Sequence, residues 1–126
     1  MCGIVLVTRV GTAVPLCISL LQRLQHRGHQ GTKIVYGNLE NPRETNSHGG
    51  LGSVEKVFSY SDFGVKGERK YNAQWCVGHT RYTTYSDRGT SRWEDAQPFV
   101  MDTLMGRIVI AHNGQVSQES VHYTRL

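Results

Sequence analysis

The chain is poor in everything that would point to a membrane, a secreted scaffold or a fibrous repeat. Its 126 residues contain no run of about eighteen apolar residues, the length a membrane-spanning helix needs. The start, Met1-Cys2-Gly3-Ile4-Val5, lacks the basic stretch followed by an apolar stretch that marks a signal peptide, so the expected location is cytoplasmic. There are only three cysteines, Cys2, Cys17 and Cys76, an odd number at wide spacing, which argues against a disulfide framework and against a paired-cysteine zinc site. No internal repeat or low-complexity tract occurs. The net charge of +4 is spread from Arg9 to Arg125 without a basic cluster interleaved with aromatics, so no nucleic-acid partner is expected. What remains, 38% hydrophobic and 19% charged residues, suits one small globular domain or a piece of a larger one.

Ile4 to Thr8 is a β-branched, apolar run and predicts a strand that starts almost at the first residue. Thr12 as a cap, Pro15 near a first turn, and Leu16, Leu20, Leu21 and Leu24 at helical spacing predict a helix over about 14–25, stopped by Gly28. Lys33 to Tyr36 predicts a short strand, and the stretch from Gly37 to Gly52, rich in Gly, Asn, Ser and Pro, a loop. Val54 to Tyr60 and Gln74 to His79 are further strand candidates, with a turn through Gly64 and Gly67 between them. Arg107 to Ala111 reads as a buried strand running into His112-Asn113-Gly114, whose Asn-Gly pair favours positive φ. From Gln115 to Leu126 the periodicity is weak and no helix stop is present, which implies an architecture that continues past this chain.

Cys17, among Pro15, Leu16, Ile18 and Leu20, and Cys76, beside Trp75 and Val77, read as inert core thiols. Cys2 is set apart by its position. A small second residue permits removal of Met1, and a cysteine exposed that way carries a thiol and an α-amine together. The free amine, with a pKa of about 7.7–8.0, can take the thiol proton directly or through water and leave the thiolate, which is the competent nucleophile.

The segments Met1-Cys2-Gly3-Ile4-Val5, Leu24-Gln25-His26-Arg27-Gly28, Gly78-His79-Thr80-Arg81-Tyr82-Thr83-Thr84, Ala96-Gln97-Pro98-Phe99 and Ala111-His112-Asn113-Gly114 stand in the order found in class II glutamine amidotransferases. The chain resembles that family from its first residue to about Gln115, and within it is similar above all to the glutaminase domain of amidophosphoribosyltransferases. The resemblance implies an α+β fold, the N-terminal-nucleophile hydrolase αββα four-layer sandwich, of which this chain would hold the N-terminal half. It implies one partial glutamine amidotransferase domain over 1–126, truncated at its C-terminal side.

It also implies roles. Cys2 would attack the side-chain carboxamide of L-glutamine, and negative charge would build on the carbonyl oxygen, which needs donors already aimed at it. In the family the side-chain amide matching Asn113 and the backbone N–H matching Gly114 form that oxyanion hole. Arg81, a planar fork of donors, would take the α-carboxylate of glutamine, and Thr84 would also touch the substrate. Arg27 and Gly28 match a turn that supports the nucleophile, although a helix end with a basic residue and a glycine stop explains them equally. His26, His29, His79 and His112 show no ligand spacing with acidic or thiol partners, so no metal is expected and hydrogen-bonding or structural roles are. The glutaminase step needs no cofactor; Mg2+ would belong to a parent synthase domain. The expected partners are that synthase domain or a second copy of the chain.

Two departures stand out. After the turn the family usually continues Gln-Asp-Ser-Ala-Gly, whereas this chain reads His29-Gln30-Gly31-Thr32-Lys33, which changes the packing next to the nucleophile. Nothing after Gly114 matches the acidic motif that receives the α-amino group of glutamine. Two rival readings are a truncated, non-catalytic remnant or regulatory partner, and a class II amidotransferase with another acceptor such as a sugar phosphate; Leu24-Gln25-His26-Arg27-Gly28 and Gln97-Pro98-Phe99 argue against the second.

Overall fold

A computed structural model describes residues 1–8, 11–58, 73–82 and 96–114. Strand β1 (Gly3–Thr8) is followed by helix α1 (Ala13–Arg23), a short 3-10 turn (Gln25–Arg27), strands β2 (Gly31–Gly37) and β3 (Thr45–Leu51), and a single helical turn α2 (Val54–Val57). Strand β4 (Trp75–Arg81) and the hairpin β5 (Phe99–Thr103) and β6 (Gly106–Ile110) complete the described elements. The first four strands form one antiparallel sheet in the order β1-β4-β2-β3, and the hairpin forms a second, two-stranded sheet.

Helix α1 packs through Ala13, Val14, Cys17, Ile18 and Leu21, which recur on one face at helical spacing and are all buried. Pro15 is tolerated because it lies in the first turn, where the missing N–H has no partner to lose. Leu16 and Leu20, part of the spacing that predicted the helix, lie on its outer side and are exposed. The helix meets the sheet over Gly78: a Cβ there would stand 2.6 Å from Leu21 Cδ1 and 2.7 Å from Cys17 Sγ, so only glycine admits so close an approach. Val5, Val7 and Ile34 from the strands close the core with Val54 and Phe58. Fully burying one such side chain contributes about 1.5–3 kcal/mol. Cys17 and Cys76 are free, buried thiols; a hydrogen bond to Cys17, followed by burial, pushes the Cys76 thiol up and keeps it protonated.

Three expectations give way. The segment expected to be a loop contains β3, which pairs with β2 along its whole length from Gly31↔Leu51 to Gly37↔Thr45. Its Asn, Ser and Gly residues are poor strand formers, and pairing with β2 overrides their preference. The strand expected from Val54 starts instead as helix α2, where the Ser53 hydroxyl accepts from the Lys56 N–H at 3.4 Å and caps the turn. Finally, β6 is a strand but is not buried. Among the described residues it pairs only with β5, and Ile108 and Ile110 are exposed.

Candidate active site

The face of the sheet that carries the chemistry is set by strand alternation. Gly78 faces α1, so His79 points to the opposite side, together with its register partners Ile4 on β1 and Lys33 on β2. On that side the chain returns twice near the hairpin. Lys33 Nζ donates to the Ala96 carbonyl at 3.1 Å, and partial burial lowers the Lys33 pKa. After β6, Asn113 reaches the start of the chain: its Oδ1 accepts from the Cys2 main-chain N–H at 3.0 Å. That contact orients the carboxamide and leaves its NH2 as the remaining donor.

Cys2 is fixed from three sides. The Gly3 N–H donates to Thr80 Oγ1 at 3.2 Å, Arg27 Nε donates to the Cys2 carbonyl at 3.1 Å, and Asn113 takes the Cys2 N–H. Arg27 Nη2 also lies 3.6 Å from Met1 Sδ, so one guanidinium touches the residues on both sides of the Met1–Cys2 peptide. Cys2, Gly3, Ile4, Leu24, Arg27 and Asn113 line an open cavity of about 300 Å3. Cys2 is half-buried, whereas Asn113 and Gly114 are exposed.

Gly28 and Arg81 stand back to back. A Cβ on Gly28 would lie 2.4 Å from the carbonyl carbon and oxygen of Arg81, and the Gln30 N–H donates to the Arg81 carbonyl at 3.2 Å. The backbone of Gly28 is extended, so glycine is required here by the close approach and not by φ. The turn is stapled by Gln25, whose Nε2 donates to the Gly28 carbonyl and whose Oε1 accepts from the Val54 N–H.

Of the residues singled out by sequence, Cys2, Arg27 and Asn113 therefore share one cavity, with Gly114 beside Asn113 and Gly28 holding the main chain of Arg81. Thr84 lies outside the described residues. Thr80, Gln25 and Gln97 were not singled out, yet each ties together the main chain of the site. All three sit inside the quoted segments as neutral hydrogen-bonding residues, and that placement was the signal available. Among the described residues no three His, Cys, Asp or Glu side chains converge to hold a metal, and no helix is long and apolar enough to cross a membrane.

No protein-family model matches the chain. It is 38% identical over 104 residues to human amidophosphoribosyltransferase, covering 82% of this chain and 19% of that protein. It is 35% identical to the amidophosphoribosyltransferase of Archaeoglobus fulgidus over 128 aligned positions, covering 100% of this chain and 24% of that one. The chain thus spans about a fifth of the length of the curated relatives it matches. Among solved structures it is similar to glutamine phosphoribosylpyrophosphate amidotransferase from B. subtilis, with TM-score 0.60 and 24% identity over 90% of this chain and 22% of that one. A structure titled as the allosteric regulatory enzyme of purine biosynthesis matches at TM-score 0.62 and 24% identity, over 82% of this chain and 20% of that one. The fold is that of the N-terminal-nucleophile glutamine amidotransferases, and the described helix, sheet and hairpin are parts of it.

Proposed function

We propose, from its homology to amidophosphoribosyltransferases, that this chain carries the nucleophile of a glutaminase that hydrolyses L-glutamine to glutamate and ammonia. The observation that carries the reading is the convergence of the Cys2 main chain, the Arg27 guanidinium and the Asn113 carboxamide on one open cavity.

With Met1 removed, the α-amine of Cys2 takes the place of the N–H that Asn113 accepts. The amine, directly or through water, takes the thiol proton, and the thiolate attacks the γ-carboxamide carbon of glutamine. The C–S bond forms as the carbonyl π pair moves onto oxygen. The Asn113 NH2 and the Gly114 N–H stabilise that oxyanion, one such donor typically contributing about 3–4 kcal/mol. Collapse expels ammonia with the proton returned by the amine, leaving a γ-glutamyl thioester on Cys2, and water then releases glutamate and the thiol. Arg27 holds the Cys2 carbonyl through this cycle, so the thiol turns on a fixed main chain. Arg81, backed by Gly28, offers its guanidinium fork to the α-carboxylate, and Thr84 joins it at the substrate. The ammonia would pass to phosphoribosyl pyrophosphate on a synthase domain, in the cytosol, as a step of purine biosynthesis.

Incubation with a diazo-ketone analogue of glutamine, followed by intact-mass measurement, tests the reading. One adduct on a chain lacking Met1, absent from the Cys2→Ala variant, is the expected result. A folded, Met1-free chain that takes up no adduct overturns it and leaves a non-catalytic partner of an intact relative.

A further inference from the structure

Asn113 and Gly114 are exposed, as is the His112 side chain, so packing does not hold the segment that would carry the oxyanion donors. A hole that stabilises charge must be ordered before the reaction, since donors that reorient during it forfeit most of their effect. Something other than burial has to fix this stretch, and the main chain of His112 shows what does.

The His112 N–H donates to the Gln97 side-chain carboxamide oxygen. The other end of the same residue meets His79. The His79 ring is 1% exposed and hydrogen-bonds the main chain of His112, whose N–H is already given to Gln97, so the group left to meet the ring is the His112 carbonyl. His79 Nε2 is buried without a hydrogen-bond partner among the described residues, so the bond falls to Nδ1–H. Burial, followed by the positive charge of Arg81 and the proximity of His112, lowers the His79 pKa to about 4, and Lys33 is its register partner on the neighbouring strand. The ring is therefore neutral near pH 7 and has a single N–H, committed to that carbonyl.

We propose that His79 and Gln97 are positioning residues: together they clamp His112 by its carbonyl and its N–H, and so set where Asn113 and Gly114 aim their donors. Both anchors are rooted in the sheet. His79 is part of β4, and Gln97 follows Ala96, whose carbonyl is held by Lys33 of β2. The clamp links two of the segments singled out by sequence, around His79 and around Gln97, to the third that bears Asn113. Its consequence for rate rests on the glutaminase reading, whereas its consequence for order does not.

The test uses the full chain and the variants His79→Leu, His79→Asn and Gln97→Ala. The first readout is the 15N order parameter of Asn113 and Gly114, the second glutamine turnover with kcat and KM separated. His79→Leu and Gln97→Ala are expected to bring the order parameters from about 0.85 to below about 0.6, with the amides of α1 unchanged. They should lower kcat on the order of 10- to 100-fold and change KM less than about twofold. His79→Asn places an amide donor where Nδ1–H stands and should recover most of both. Unchanged order in His79→Leu and Gln97→Ala overturns the clamp, and so does an Asn variant no better than Leu. If His79→Leu does not fold, Gln97→Ala decides alone, because it removes a half-buried side chain at the rim. A chain that never turns over glutamine, yet loses order at Asn113 and Gly114 in the variants, refutes the glutaminase and leaves the clamp standing.

Discussion

The two faces of the main sheet are built from the same strands and hold together in different ways. Along β1, Val5 and Val7 point at α1 and are each 7% exposed, while Ile4 and Leu6 point the other way and are 38% and 66% exposed. The helix-covered face is a closed apolar core of aliphatic side chains and two buried thiols. On the opposite face His79 and Lys33 tie the sheet to main-chain atoms of His112 and Ala96, and hydrogen bonds there take the place of packing. Side-chain packing thus dominates one face, and hydrogen bonds to main-chain atoms the other.

Substitution on the closed face should produce the largest effect. Leu21→Ala empties a fully buried position against Gly78, and urea denaturation should show a loss of about 3–5 kcal/mol. A loss under about 1 kcal/mol would mean that α1 repacks freely and that the two faces are not so different.

The open face should respond to acid. His79 is held neutral with its pKa lowered from 6.5 to about 4, so the unfolded chain binds a proton that the folded chain refuses. The stability present above pH 6.5 is lost as the pH falls toward 4, by about 3 kcal/mol over that window. Denaturation midpoints measured from pH 7 to 4 should carry this slope, and His79→Asn should flatten it.

Gly28→Ala is expected to come next, because its Cβ would meet the Arg81 main chain at 2.4 Å and backbone cannot step aside as a side chain can. A loss of about 1–3 kcal/mol in denaturation is expected. If Arg81 binds the substrate carboxylate, KM for glutamine should rise more than kcat falls. A change in kcat alone would detach Gly28 from the substrate side of the site.

The closed face was largely legible in the sequence. The β-branched run after Gly3, the helix around Pro15 and the strand ending near His79 all follow from local pattern, because each element has one apolar side and local preference agrees with tertiary environment. Failures came where that agreement breaks. Asn46, Ser47, Gly49 and Gly50 form strand β3 only because β2 offers a complete row of partners, information that lies outside the segment. The Leu16, Leu20, Leu21 and Leu24 spacing gave the helix but not its buried side, since apolar stripes on adjacent faces differ by a single residue step. In the cavity, chemistry-bearing types such as Cys2, Arg27 and Asn113 stood out by motif, whereas Gln25, Thr80 and Gln97 did not. Their roles are hydrogen bonds to main-chain atoms distant in sequence, and a neutral polar side chain does not reveal which peptide group it will meet.

The smallest expected effect gives the sharpest check on the comparison. Leu6 stands on the same face as His79 but toward the other end of β1, paired in register with Val77 and 66% exposed. Leu6→Thr keeps strand preference and removes apolar surface that is already in water, so denaturation should shift by no more than about 0.5 kcal/mol. The same substitution at Val5 or Val7, one step along the strand, would place a hydroxyl in the core beside α1 and should cost about 1–3 kcal/mol. A loss at Leu6 as large as that at Val7 would show that this end of the open face is covered in solution. Repeating the measurement at several protein concentrations would then separate the sources: a loss that grows with concentration points to a second copy seated there, and a constant one to cover from within the chain.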